Sequence, residues 1–304
     1  MRIVDPWISE SSGLVAGVAS DRLFTHNDSG DTARFFALGP TGRTVATFVL
    51  RGVQARDCED IERGPRRTLW LADIGDNSAT RDLGILVHEV PEPTGPSATL
   101  TPVSYRLRYE DGPHDAEALL ISPRTGRLLV VTKSFAGGDV YEAPAALGAG
   151  VANVLRRVGH VPVPEVTAGD VSPDGTRVVL RNYTAAYEWD VQGDDLAGAL
   201  RRDPVRIPLP SQRQGEGITY SRDGSALLIS SEGVQQPVYE LRRTTTSTSV
   251  SPQPLATDRP AASASSSRRG EPWWRWPLVA GGAAGVAAVV AAAVLSLRRR
   301  RSPP

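Results

Sequence analysis

Gly169-Asp-Val-Ser-Pro-Asp-Gly-Thr-Arg-Val-Val-Leu-Arg181 decides how this chain folds. An acidic residue leads into a short apolar stretch, Ser172-Pro-Asp-Gly175 makes a turn, and a β-branched run follows. The glycine closing the turn supplies the positive φ that a tight hairpin needs. The same turn recurs as Ser122-Pro-Arg-Thr-Gly126 and Ser221-Arg-Asp-Gly224, ahead of Arg127-Leu-Leu-Val-Val-Thr132 and Ala226-Leu-Leu-Ile-Ser230. Thr68-Leu-Trp-Leu-Ala72 keeps the strand with a shortened turn. The acidic lead recurs as Glu10-Ser-Ser-Gly-Leu14, Cys58-Glu-Asp-Ile61, Asp115-Ala-Glu-Ala-Leu119 and Gly215-Glu-Gly-Ile-Thr219. A period of about fifty residues with four short strands per unit is the signature of a β-propeller.

The expected fold is therefore all-β, a propeller over residues 1–243. Five blades account for the repeats, and six follow if one loop hides a strand. The fifth blade has three strands, so residues 2–8 are expected to pair with residues 238–242 as its fourth. That pairing closes the ring and removes exposed edges.

Beyond the repeats the composition changes. Residues 244–277 are rich in Ser, Thr, Pro and Ala and cannot bury a core, which reads as a disordered linker. Residues 278–297 carry no charge, and Arg298 to Arg301 follow at once. About twenty such residues span the roughly 30 Å hydrocarbon core as a transmembrane helix. The arginines place the tail 298–304 in the cytoplasm, and Trp273, Trp274 and Trp276 suit an interfacial belt. A single-pass protein with its propeller outside the cell membrane is the expectation. Residues 1–7 are not a signal peptide, so either the true start lies upstream or the protein is tail-anchored with its domain inside.

Charge is divided unevenly. Residues 1–243 hold 26 Arg or Lys and 32 Asp or Glu, a net of 26 − 32 = −6, and the rest holds 8 and 2, a net of +6. An acidic folded part does not suggest nucleic acid. The single cysteine, Cys58, excludes an internal disulfide and a cysteine metal cage. No Gly-x-Ser-x-Gly elbow is present.

In a propeller, the loop into each innermost strand and the loop leaving the second strand open on one face. The first set holds Glu10, Asp57, Glu59, Asp60, Asp115, Glu117, Asp170 and Glu216. The second holds His26, Asp28, Asp31, Asp73, Asp76, Asn77, Lys133, Arg181 and Glu232. Carboxylates so gathered repel one another unless a cation or a basic side chain neutralises them. Oxygen donors select Ca²⁺ or Mg²⁺ over Zn²⁺. Glu59, Asp76, Asn77, Asp115, Glu117, Asp170 and Glu216 are the candidate metal ligands, with Ca²⁺ the expected ion. His26, Asp28, Lys133, Arg181 and Glu232 are candidates to face a ligand. The competing reading pairs the acids with Lys133, Arg181 and backbone N–H groups.

His26-Asn-Asp-Ser-Gly-Asp31, Cys58-Glu-Asp-Ile61, Ala72-Asp-Ile-Gly-Asp-Asn77, Asp115-Ala-Glu-Ala-Leu119 and Ser231-Glu-Gly233 together resemble a family of bacterial, mostly actinobacterial, secreted or membrane-anchored propellers described as WD40-like or TolB-like. More distantly, Asp115-Ala-Glu-Ala-Leu119 and Gly215-Glu-Gly-Ile218 resemble acidic strand starts of phytase-like and gluconolactonase-like propellers, and that resemblance implies bound Ca²⁺. The chain lacks the clustered basic residues of a phytase. Its expected role is a surface-displayed module binding an extracellular ligand or protein. The alternatives are a Ca²⁺-dependent hydrolase of a phosphoester, ester or lactone, and a structural component of the envelope.

Overall fold

The computed structural model describes residues 1–243. Residues 244–304, where the linker, transmembrane helix and basic tail are expected, lie outside the described residues. Among the described residues no helix is long and apolar enough to cross a membrane.

The first sheet contains β1 (Ser11–Ala16), β2 (Leu23–Asn27), β3 (Arg34–Leu38) and β4 (Thr44–Leu50) as an antiparallel meander. The second contains β5 (Cys58–Gly64), β6 (Thr68–Asp73) and β7 (Ile85–Pro91); the chain then passes through β8 (Ala98–Leu100) to β9 (Val103–Tyr109). The third contains β10 (Ala116–Ile121), β11 (Leu128–Thr132), β12 (Gly138–Glu142) and β13 (Ala152–Val161). The fourth contains β14 (Ala168–Val171), β15 (Arg177–Arg181) and β16 (Ala185–Asp190), then the short helix α1 (Leu196–Leu200), then β17 (Val205–Pro208). The fifth contains β18 (Gly215–Tyr220), β19 (Ala226–Ser231) and β20 (Tyr239–Arg242).

The innermost strands form a closed ring. β1 touches β5 and β18, β5 touches β10, β10 touches β14, and β14 touches β18. This is a propeller of five blades. The apolar core is divided in the same way, one cluster to each interface. Blades one and two share Phe24, Phe35 and Phe48 with Ile61, Leu69 and Leu71. Blades three and four share Leu120, Leu129 and Val131 with Val178, Leu180 and Trp189. The last interface, between blades five and one, is filled by Val238 with Ile3, Ile8, Leu14 and Phe36. Each fully buried side chain of this kind contributes roughly 1.5–3 kcal/mol over its exposed state. The blades therefore hold one another through their faces, with no hydrogen-bonded ladder needed between them.

Two outer strands add ladders between blades. β8 pairs parallel to β4, with Phe48 opposite Ala98, so the second blade's connection runs along the first blade's edge. β9 and β13 pair parallel, Ala152 opposite Arg106, and join blades two and three into one sheet. β8 and α1 escaped the periodicity because a three-residue strand and a five-residue helix are too short to show one.

Ring closure differs from the expected fourth strand. Of residues 1–8, Met1–Ile3 carries the strand-like pairing with the fifth blade, through the bridge of Arg2 to Pro237, while Ile8 meets it by side-chain packing on Val238. Ile3 N–H donates to Gln236 O at 3.0 Å, and Val238 N–H donates to Met1 O at 2.8 Å. Val4 N–H then turns to Gly42 O at 3.1 Å, which carries the chain away to blade one. Gly42 has φ +79° and its α-carbon abuts the Arg2 carbonyl, so a β-carbon there would collide with backbone. Residues 4–8 are thus a connection between blades rather than a strand of the fifth.

The turns behave as read. Gly126, Gly175 and Gly224 have φ of 74°, 67° and 71°. In two of these turns the serine hydroxyl binds the aspartate: Ser172 Oγ to Asp174 Oδ1 and Ser221 Oγ to Asp223 Oδ1, both 2.6 Å. All three turns lie at the end of the ring opposite the acidic strand starts.

Candidate metal and ligand site

Four of the five innermost strands begin with a register shift against their neighbour: between Ser11 and Leu14, Cys58 and Asp60, Ala116 and Ala118, and Gly215 and Ile218. An extra residue bends the strand and re-aims a side chain. In three blades the residue in the bulge is a glutamate, Glu59, Glu117 or Glu216, each at most 4 % exposed. The bulges explain how local backbone geometry repeats one acid around the axis. Ser12 takes the equivalent place in blade one and donates to Glu59 O at 2.8 Å.

Asp28, Asp57 and Glu59 each bring a carboxylate oxygen within 4.8 Å of the other two. Asp28 follows β2 and the other two start β5, so adjacent blades build the group. Asp28 Oδ1 is buried and has no hydrogen-bond partner. Gly75 lies against this group; a β-carbon there would overlap Glu59 Oε1 and Asp57 Oδ2. Burial raises the Asp28 carboxyl to about 6, with Asp57 and Glu10 adding to the rise. Asp57 is raised by burial and by Asp115 and Asp73. Glu59 is pushed well above the carboxylate range by burial and by Glu117, Asp28 and Asp57.

The rest of the mouth sets Lys133, with the buried Arg181 guanidinium acting on Glu216, among several acids. Lys133 Nζ donates to Glu117 Oε1 at 2.7 Å and lies 5.6 Å from the Tyr183 ring centre. Burial alone would lower the Lys133 ammonium; Glu117 reverses this and holds it charged. Burial raises Glu117 to about 8 against the pull of Lys133, with Glu216 and Asp115 adding. Burial raises Glu216 to about 7, and its Oε2 has no partner. Glu232 rises to about 6 through burial, Asp28 and Glu10. Lys133 and Arg181 carry fewer charges than this set of acids, so the remaining carboxyls hold protons or a cation.

Other sequence candidates lie elsewhere or are already engaged. Asp76 caps its own loop: its oxygens accept from Thr80 N–H at 2.9 Å and Arg81 N–H at 2.7 Å. Its backbone N–H in turn donates to Asp115 Oδ1 at 2.8 Å. Asn77 is exposed and lies near enough to the Asp57 carboxyl to lower it. Asp170 sits deeper along the axis and is fully buried; Oδ2 accepts from Arg63 Nη2 at 2.7 Å, Thr219 Oγ1 at 2.7 Å and Tyr220 N–H at 2.6 Å. His26 is 1 % exposed, with Nε2 3.2 Å from Gly13 N–H and Nδ1 2.9 Å from Asn27 O. Burial lowers it to about 4, so it is a neutral strut between strands. Arg181 is fully buried, and its guanidinium donates to Gly217 O at 3.1 Å, Ser230 O at 3.3 Å and Gln212 Oε1 at 3.2 Å. A β-carbon on Gly215 would collide with it.

A cleft of about 280 Å³ opens beside the triad, lined by Arg56, Asp57, Gly75, Asn77, Ser78 and Thr80. Arg56 and Gly75 were not singled out in the sequence; an arginine in a polar loop and a glycine after a strand carry no signal of their own.

No family model matches the chain, and no curated protein sequence matches it. Solved structures similar to it include a gluconolactonase from Xanthomonas campestris, 14 % identical, with 75 % of this chain and 72 % of that one covered at a TM-score of 0.45. A luciferin-regenerating enzyme is 10 % identical, covering 79 % and 93 % at 0.45. An auxiliary nutrient binding protein from Bacteroides ovatus is 10 % identical, covering 76 % and 57 % at 0.43. At these identities the likeness is one of backbone alone, and no residue role passes from them to this chain.

Proposed function

We propose that the propeller binds a divalent cation at its acidic mouth and uses it to hold a ligand, as a module displayed at the membrane surface. The carrying observation is the convergence of Asp28, Asp57 and Glu59, with the unpartnered Asp28 Oδ1 among their oxygens. An all-oxygen donor set suits Ca²⁺, which takes 6–8 oxygens. Three carboxylates leave positions for water or a ligand. The resemblance to WD40-like or TolB-like anchored propellers and the uncharged segment before Arg298 support membrane display.

Ca²⁺ should stabilise the native full chain by about 2.7 kcal/mol at a hundredfold excess over Kd. Thermal melts with and without Ca²⁺ read this, and Glu59→Gln should remove most of the increment. A melting temperature unmoved by millimolar Ca²⁺ rejects the cation reading. Membrane display has its own test. Protease treatment of intact cells should remove the propeller, whereas survival of the domain until lysis would place it inside.

Hydrolysis of a phosphoester, ester or lactone is the second reading. The observation favouring it is the buried Glu117, next to Glu59 and bonded by Lys133 Nζ at 2.7 Å, with burial raising it to about 8 and Glu216 to about 7. Such groups suit general acid–base work at physiological pH. Ca²⁺-dependent turnover of chromogenic esters or phosphoesters, lost in Glu216→Gln, would establish it.

A further inference from the structure

The cleft beside the triad has a chemistry of its own. Its wall changes sign within one residue, from Asp57 in the triad to Arg56. Among the described residues the Arg56 side chain makes no ion pair, and only its backbone N–H is tied down, to Asp73 Oδ2 at 3.3 Å. Arg81, by contrast, is spent inside, bonded to Asp73 Oδ1 at 2.8 Å and Gly75 O at 3.0 Å. Ser29 and Ser78 bring exposed hydroxyls to the same cleft. A second cavity of about 290 Å³ shares Arg56 and Thr80 and continues past Leu83 and Leu86 to Arg106.

A free guanidinium and hydroxyls beside Asp57, the triad member that lines the cleft, do not suit an apolar ligand. They suit a group that is anionic and carries several oxygens. One oxygen completes the coordination of a hard cation, and another accepts from arginine, whose planar fork matches carboxylate and phosphate. Resting on the cation reading above, we propose that this cleft takes the oxyanion head of a phosphate monoester or carboxylate ligand, bridged between the bound divalent cation and Arg56. Ser29 and Ser78 bond the head's remaining oxygens, and the ligand's body lies in the cavity toward Leu83 and Arg106. Without the cation the triad repels the head, so binding of the ion and the oxyanion is mutually dependent.

Calorimetric titration of the full chain tests this with Ca²⁺ alone, and with phenyl phosphate, benzoate and neutral benzyl alcohol in Ca²⁺ or in EDTA. At least one of the two oxyanions should bind in Ca²⁺ and at least tenfold more weakly in EDTA, with benzyl alcohol not binding. The tighter of phenyl phosphate and benzoate identifies the head group. Arg56→Gln, an exposed position, should keep Ca²⁺ binding and lose at least tenfold in oxyanion affinity. Ca²⁺ binding with no preference for either oxyanion, or with equal affinity in Arg56→Gln, overturns the cleft assignment alone. No Ca²⁺ binding at all overturns the cation reading and the bridge with it, and oxyanion binding undiminished in EDTA overturns the bridge while leaving the cation reading standing.

Discussion

Glu62 is 1 % exposed, and neither of its carboxylate oxygens has a hydrogen-bond partner. It faces Asp170, whose Oδ1 is equally unpartnered, and burial with Asp170 and Asp60 nearby pushes it well above the carboxylate range. Two ionised carboxylates cannot bond one another, so one proton between them joins a Glu62 oxygen to Asp170 Oδ1. Arg63 Nη2 holds Asp170 from the other side at 2.7 Å, and Asp60 Oδ2 accepts from Leu119 N–H at 3.0 Å and Gly169 N–H at 3.4 Å. These side chains tie blade two to blades three and four across the axis, and Asp170 continues to blade five. Glu62→Gln supplies a permanent donor in place of the shared proton. The variant should match the parent in stability near pH 4, where glutamate is protonated in both states, and exceed it at pH 8, where the parent must hold a proton against solvent. Denaturant melts at the two pH values read this; a variant less stable at both would show that Glu62 works as an anion.

At the scale of the element, closure of the ring depends on three residues. Met1–Ile3 carries the bridge to Gln236–Val238, and Ile3, 2 % exposed, fills the interface between blades five and one. Removing a buried isoleucine costs about 2–5 kcal/mol. For a domain of this size each kcal/mol lowers the melting temperature by roughly 2–4 °C. Deleting residues 1–3 should thus lower it by at least about 5 °C, by differential scanning calorimetry. A melting temperature within 1 °C of the parent, on the order of a few tenths of a kcal/mol, would mean that the side-chain core between blades closes the ring unaided. A different latch binds blades one and two: Glu92 accepts from Val18 N–H at 2.9 Å and Ala19 N–H at 3.0 Å.

For the molecule as a whole, the mouth sets how stability follows pH. Asp28 and Glu232 at about 6, Glu216 at about 7 and Glu117 at about 8 are all raised above their unfolded values. Between about pH 4 and pH 8 the native state therefore binds more protons than the unfolded chain, and stability falls as pH rises. His26, lowered to about 4, acts oppositely and removes stability as pH falls below about 6.5. Without Ca²⁺, stability should decline from pH 6.5 to pH 8. Ca²⁺ replaces protons at the mouth, so its stabilising increment should grow over the same range. Denaturant melts in EDTA and in Ca²⁺ at pH 6, 7 and 8 give both slopes, and an increment that shrinks with rising pH would contradict competition between ion and proton.

The repeat of acidic lead, Ser-Pro-Asp-Gly turn and β-branched strand was local information, so the all-β fold, the five blades and nearly all strand positions were legible in the sequence. The turn glycines needed positive φ whatever surrounded them. Which acids meet was not legible, because it depends on the bulge that re-aims Glu59, Glu117 and Glu216 and on the depth of each residue along the axis. Asp170 and Glu59 occupy similar motifs, yet blade four lacks the bulge, and Asp170 is spent on Arg63 deep inside. His26 and Arg181 are polar in sequence and buried in fact, because strand pairing supplies their hydrogen-bond partners. Asp57 joins the triad only because β5 stands beside the end of β2, a neighbourhood created by closing the ring. A sequence records which groups carry charge; burial, and the partners that burial selects, decide which of those charges remain free to bind.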